Sequence, residues 1–139
     1  MALHTELPIY RKAYELLSVA VEITRNIPRD FRRLLGDKIR DECLEITVLI
    51  FRANICRDKV PHITDLIEKL QIVELTLRLA CDMRLISKGQ YAKAIKLTQD
   101  VGRQATKGHH DQARICRIAW RRGHRVHGDL SKIHRRKEA

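Results

Sequence analysis

Apolar residues recur three and four positions apart along four long segments, and this spacing restricts the fold more than any other feature of the chain. It matches the α-helical period, so each segment gathers its apolar side chains on one face of a helix. The segments run from Pro8 to Arg25, from about Phe31 to Arg57, from Pro61 onward and from Ser87 onward. Aromatic residues make up only 4% of the chain, which disfavours a β-rich fold.

Short breaks that hold helix-ending or helix-starting residues separate the four segments. Pro28 cannot continue a helix, whereas Pro61 suits the first turn of the third helix. Asp58, in the break before Pro61, is expected to act as a cap or turn residue. Ser87 and Gln90 have the spacing of a capping box, which marks the start of the fourth helix. Connections this short predict an all-α, antiparallel up-and-down four-helix bundle.

Charge divides the chain into a nearly balanced part and a basic tail. Residues 1–106 hold 18 basic and 14 acidic side chains, whereas residues 107–139 hold 10 and 3. Because the apolar pattern also fades near Gly102 to Gly108, we expect residues 1–106 to form the bundle and residues 107–139 to form a disordered or partly helical tail. The net charge of +11 and the pI near 10 favour a polyanionic partner.

Neither the cysteines nor the apolar runs indicate an extracellular or membrane protein. Cys43, Cys56, Cys81 and Cys116 show no CxxC spacing, and three of them lie in apolar-periodic segments, where a free thiol packs as a small hydrophobe. No apolar run approaches the roughly 20 residues of a membrane span, and the first eight residues do not resemble a signal peptide. We therefore expect reduced thiols, no membrane partner and a cytoplasmic location.

Motifs for catalysis and for metal binding are weak or missing in the sequence. There is no glycine-rich phosphate loop, no GxSxG, no HExxH and no di-iron carboxylate set, so we expect no enzyme and no cofactor. The tail does hold imidazole and thiol groups, the usual zinc ligands, at His109, His110, Cys116, His124 and His127. Their spacing fits zinc poorly because no second cysteine pairs with Cys116, and we expect no metal site.

Four strings of the sequence resemble one family of small helical proteins. They are LPIYRKAYELL (Leu7 to Leu17), LGDKIRDE (Leu35 to Glu42), FRANICRDK (Phe51 to Lys59) and LRLACDMRLIS (Leu77 to Ser87). Together, over roughly residues 6 to 106, they resemble the accessory variability determinant (Avd) family of diversity-generating retroelements. Proteins encoded by intervening sequences of bacterial large ribosomal RNA genes share the bundle and the opening of this pattern. FRANICRDK followed by a proline-started helix resembles the retroelement family more closely.

The resemblance implies an antiparallel four-helix bundle that assembles into a ring-like homopentamer with a basic surface. It also implies two partners, the reverse transcriptase of the element and its template-repeat RNA, in the error-prone copying that diversifies a target gene. The tail matches no motif of the family, so its role is not implied by the resemblance.

Seven basic residues of the bundle, six within the matching strings and one directly after the last string, are the candidate contacts for RNA or polymerase. They are Arg40, Arg52, Arg57, Lys59, Arg78, Arg84 and Lys88. Cations of this kind bind phosphates by releasing counterions, without base-specific geometry. Each of them is equally consistent with a solvated helix face, and Arg78 has Glu74 and Asp82 as helical neighbours with which it could pair.

Arginines surround the only tryptophan in the tail, a combination that suits RNA because guanidinium groups bind phosphate and indole stacks on unpaired bases. The residues concerned are Arg114, Arg117, Trp120, Arg121, Arg122 and Arg125. The alternatives are a segment that docks on a neighbouring subunit through one face of a short helix, and a basic amphipathic helix on an anionic membrane.

These observations lead to the hypothesis of a non-catalytic accessory protein of a diversity-generating retroelement. It would bind RNA, with DNA as a further candidate, together with the reverse transcriptase, to support mutagenic reverse transcription. The alternative is a structural or ribosome-associated RNA-binding bundle without a polymerase partner.

Overall fold

Four helices account for nearly all of the residues that the structure describes. The structure is a computed structural model that describes residues 7–111. Helix α1 is Pro8–Arg25, and helix α3 is Val60–Asp82. Helix α2, residues 29–55, is a continuous run of the α-helical turn Arg29–Phe31, the π-helical segment Arg32–Gly36 and the α-helix Asp37–Ile55. Helix α4 is residues 88–111. No strand occurs among these residues, which confirms the all-helical prediction.

The helix starts follow the local signals of the sequence. Pro8 and Pro61 lie in the first turns of α1 and α3, where a missing N–H costs no hydrogen bond. The Asp58 carboxylate accepts a hydrogen bond from the backbone N–H of Val60 at 3.2 Å, as expected of a turn residue. Ser87 and Gln90 form the predicted capping box: each backbone N–H donates to the other side chain, at 3.0 and 3.1 Å.

The four helices pack as a ring in which each neighbour runs in the opposite direction. Helix α2 packs against both α1 and α3. Contacts between α3 and α4 join late residues of one helix to early residues of the other, as in antiparallel helices. Gly108 lies beside Ile63 and Gly102 beside Leu70, and the Thr98 hydroxyl donates a hydrogen bond to the Glu74 carboxylate at 3.0 Å. Helices α1 and α4 line a common groove, which closes the ring. The fold is therefore the predicted four-helix bundle.

One apolar core lies along the bundle axis and receives side chains from all four helices. The large side chains that are almost completely buried include Leu16, Ile39, Ile46, Leu66, Val73, Leu77 and Val101. Burying each such side chain stabilises the fold by about 1.5 to 3 kcal/mol, so the core carries most of the stability of the bundle.

Helix α4 is longer than the sequence pattern indicated, because the glycines between 102 and 108 do not end it. Ala105 is buried, and Gly108 faces Ile63 of α3, so both belong to the packed face. Helix α4 continues to Asp111, five residues beyond the boundary expected at 106. The tail beyond residue 111 lies outside the described residues. The predicted division into bundle and tail therefore stays a prediction.

A buried carboxylate links α2 to α3. Glu42 is only 4% exposed, and its Oε1 lies 2.6 Å from the ammonium of Lys38, one turn earlier in α2. Its Oε2 lies 3.0 Å from the ammonium of Lys69 in α3. Burial raises the pKa of Glu42, but contacts with the two lysines outweigh burial and hold the pKa below its ordinary value of 4.5. The charged carboxylate is therefore the form that the folded state prefers.

We expect Glu42→Gln to lower the free energy of unfolding at about pH 7 by about 1 to 3 kcal/mol, because the two lysines lose their shared partner. A group whose pKa is lowered by folding stabilises the protein above its unfolded pKa, and loses that effect as the pH falls through the folded pKa. Chemical denaturation should therefore show the wild-type advantage shrinking between about pH 6 and pH 3.

Glu45→Gln is the matched control, because Glu45 lies one turn away in α2 and forms an exposed pair with Arg52 at 3.6 Å. We expect this change to cost at most about 1 kcal/mol and to show little dependence on pH. An equal effect of the two substitutions at every pH would contradict the role assigned to Glu42.

Candidate nucleic-acid interface

The antiparallel order gives the bundle two chemically different ends. The two-loop end holds the connections 26–28 and 83–87, and the one-loop end holds the connection 56–59, the start of α1 and the last described residues of α4. Helix α3 spans the distance between the ends with 23 residues, which is about 35 Å. A side chain at one end therefore cannot share a small ligand with a side chain at the other.

The seven basic residues predicted on the bundle divide between these ends. Arg78, Arg84 and Lys88 lie at or near the two-loop end, whereas Arg52, Arg57 and Lys59 lie at or near the one-loop end. Arg40 belongs to neither group, because it lies in the first half of α2. The structure thus brings the predicted residues together as two cationic groups and not as a single site.

Ion pairs distinguish the members of these groups. Arg40 is bound to Asp37, and Arg52 lies 3.6 Å from Glu45. The other five residues make no ion pair with a carboxylate within residues 7–111. Their positive charges are therefore not neutralised by the described part of the chain, which is what phosphate binding needs.

Arg78 in particular does not pair with its helical neighbours. Neither Glu74 nor Asp82 forms an ion pair with it, and Glu74 instead accepts a hydrogen bond from Thr98 on α4. Because Arg78 is exposed, its guanidinium remains available to a partner. The pairing with Glu74 or Asp82 is therefore not formed, and contact of Arg78 with RNA or polymerase stays a prediction.

Three exposed arginines at the two-loop end were not predicted from the sequence. Arg25, Arg29 and Arg33 flank the α1–α2 connection, which the bundle places at the same end as Arg84 and Lys88. Arg32 belongs to the same string but has a structural role, since its guanidinium donates to the carbonyls of Arg25 and Ile27, at 3.2 Å each. The cluster of arginines between residues 25 and 33, combined with the up-and-down topology, was the signal that could have found this group.

Arg84 has an unusual backbone conformation. Its φ of 58° lies in the left-handed region, which glycine adopts far more readily than arginine. The hydrogen bonds from the Leu85 N–H to the Ala80 carbonyl and from the Arg84 N–H to the Cys81 carbonyl form a Schellman motif that ends α3. Arginine thus stands where glycine would be the less strained residue, and its exposed side chain projects from the two-loop end.

The cysteines within residues 7–111 are free thiols, as predicted. Burial, reinforced by the negative charge of Glu42, raises the pKa of Cys43 to about 12, so this thiol is not reactive at neutral pH. Cys56 and Cys81 are half-buried and unpaired with each other.

Within residues 7–111 no three metal-ligating side chains lie together, although Cys116, His124 and His127 lie outside this range. No described helix is long and apolar enough to cross a membrane.

The six tail residues predicted to contact RNA, Arg114, Arg117, Trp120, Arg121, Arg122 and Arg125, lie outside the described residues. Their role stays a prediction, as do the alternatives of a docking segment and of an amphipathic helix on a membrane.

Residues 7–111 thus form an antiparallel helical bundle with unpaired cations at both ends. The sequence model of the bAvd-like family matches residues 7–109, which is 103 of the 139 residues, and the chain belongs to that family. The match confirms the family resemblance predicted from the four strings. No curated protein matches the chain.

We expect Arg84→Gly to leave the stability of the bundle unchanged or to raise it by up to about 1 kcal/mol. Glycine removes the left-handed strain of about 1 to 2 kcal/mol, and its extra unfolded-state entropy offsets about 0.5 to 1 kcal/mol of that gain. Arg84→Ala is the control, since it removes the same guanidinium and keeps the strain. Thermal unfolding that ranks the alanine variant above the glycine variant would contradict this account.

Proposed function

We propose that this protein is a non-catalytic accessory protein of a diversity-generating retroelement. It binds the template-repeat RNA and the reverse transcriptase, supports mutagenic reverse transcription in the cytoplasm, and acts as a homopentamer. The observation that carries the proposal is the family match over residues 7–109, combined with exposed, unneutralised cations at both ends of the bundle. Proteins that hold a polymerase on an RNA need such separated contacts, because the two partners occupy different surfaces.

Electrostatics supports RNA as one of these partners. The chain has a net charge of +11, and the exposed arginines can neutralise phosphates without reading the bases. Binding of this type steers a polyanion toward the protein and weakens steeply as salt is added. A scaffold for the copying of a repeat RNA has no need of base-specific contacts, because base pairing supplies the sequence information.

Exposed apolar stripes on the sides of the bundle support self-assembly. On the outer face of α2, Leu44 and Ile55 are 53% and 48% exposed, and Val48 lies between them at helical spacing. On the outer face of α3, Leu75 and Leu79 are 58% and 43% exposed. Both stripes lie opposite the core face of their helix, so packing among residues 7–111 does not cover them. A second copy of the chain would bury both stripes.

Affinity capture with the candidate reverse transcriptase and its RNA tests the proposed function. Wild-type protein should capture the polymerase both before and after nuclease treatment, and the combined Arg78→Glu and Arg84→Glu variant should lose at least one of the two partners. Charge reversal acts directly on electrostatic contacts and should leave helicity and melting near wild type, because both side chains are exposed.

Lys96→Glu with Arg103→Glu is the control, since it makes the same change of charge at two exposed residues near the middle of α4, between the two ends of the bundle. Equal losses in both variants would indicate a general charge effect and not a site at the two-loop end. Wild-type protein that captures RNA but never the polymerase would favour the ribosome-associated alternative.

Light scattering tests the assembly. Wild-type protein should have about five times the mass of the 16.2 kDa chain, and Leu44→Glu combined with Leu79→Glu should yield a folded monomer, because two buried charges would oppose the contact. Val21→Glu changes an exposed apolar residue of α1 and should leave the mass unchanged. A wild-type monomer at micromolar concentration would refute the pentamer.

A further inference from the structure

An apolar cleft opens at the one-loop end of the bundle, among the start of α1, the end of α2, the start of α3 and the end of α4. Its volume is about 260 Å³. Apolar core side chains form most of its walls, among them Ile50, Ile63, Leu66 and Ala105. Polar side chains also line it, including Lys59 and Gln104. The cleft is thus an extension of the core that opens at the surface of this end.

The chain leaves the described bundle beside this cleft. Gly108 lines the cleft, and the described part of α4 ends three residues later, at Asp111. Twenty-eight residues follow, and the only tryptophan of the chain, Trp120, is nine residues beyond Asp111. Nine extended residues reach about 30 Å, which is enough for the chain to turn back to the cleft.

We propose that Trp120 of the same chain occupies this cleft. An indole has a large apolar surface to bury, and the cleft offers it apolar walls from four helices. The Gln104 amide at the cleft can accept a hydrogen bond from the indole N–H, and the Lys59 ammonium can lie over the ring as a cation. Gln104 would thus satisfy the one polar group of a buried indole, and Lys59 would add a favourable contact with the ring.

Two other occupants fit less well. A second copy of the chain already has the stripes on the sides of α2 and α3 as its apolar contact surface. Residues 1–6 precede Leu7, which also lines the cleft, but they contain no Phe, Tyr or Trp side chain to fill it. The tail is the only part of the chain beyond the described residues that holds one.

Docking of Trp120 would give the tail a defined place in the molecule. Arg117 and Arg121 flank the tryptophan and would join Arg57 and Lys59 in one cationic surface at the one-loop end. The bundle cations and the tail cations would then meet the same polyanion. This inference goes beyond the proposed function and is tested on the protein alone, so that the two can fail separately.

The fluorescence of Trp120 reports the docking directly, because no other tryptophan contributes. In the wild-type protein the emission should be blue-shifted, and quenching by acrylamide should be several-fold weaker than for a solvent-exposed indole. Gly108→Leu should bring both values to those of an exposed indole, since leucine fills the cleft from α4. An added Cβ at Gly108 has room, with its nearest neighbour, Ile63 Cδ1, at 3.8 Å, so the variant should fold, as circular dichroism can verify.

Two further variants keep the experiment interpretable. Gly89→Leu makes the same change at the other end of α4, where a Cβ meets nothing closer than 3.9 Å, and should leave the fluorescence as in wild type. Gly108→Ala adds one methyl group and should keep Trp120 shielded. Exposed emission from the wild type, shielding that survives Gly108→Leu in a folded protein, or shielding that disappears on dilution would each overturn the proposal.

Discussion

The burial of four apolar stripes against one another is the constraint on which the rest of this structure depends. Because each helix has one such stripe and the connections are short, the helices alternate in direction, and all of the connections lie at the two ends. The cations that flank the connections are carried to the ends by the same packing. The distance of about 35 Å between Arg57 and Arg84 is therefore set by the length of α3 and not by any interaction between charges.

The separation of the cations restricts what the protein can bind. A small anion could meet only one group at a time, whereas a polynucleotide or a large protein could contact both. Pairing within the bundle is a weak obstacle to such contacts, because an exposed pair such as Arg52 with Glu45 contributes at most about 1 kcal/mol. The buried contacts of Glu42 are different, since they hold α2 to α3 and are shielded from exchange with a ligand.

Local signals in the sequence predicted local structure well. The capping box of Ser87 and Gln90 and the proline at the start of α3 act within a few residues, so the sequence alone was sufficient to predict them. The end of α4 was predicted too early, because Gly102 and Gly108 were interpreted as helix breakers. Both glycines lie beside α3, and the burial of the neighbouring Val101 and Ala105 in the core keeps this part of α4 helical in spite of the glycines.

The candidate site was predicted less completely than the fold, for two physical reasons. The family strings do not include residues 25–33, so they do not point to the arginines of the α1–α2 connection. Only the topology shows that these arginines lie at the same end of the bundle as Arg84. The left-handed backbone of Arg84 and the π-helical segment Arg32–Gly36 result from how α2 and α3 meet their neighbours, and no periodicity reports such a contact.

The placement of apolar and charged surfaces would allow the proposed self-assembly and the proposed polyanion binding to coexist in so small a chain. The exposed leucines lie on the sides of α2 and α3, and most of the unpaired cations lie at the ends. Contacts between copies through the sides would cover the leucines and leave the ends open. Every added copy would then present another set of cations to the same polyanion, and the binding free energy would grow with the number of copies without any new kind of contact.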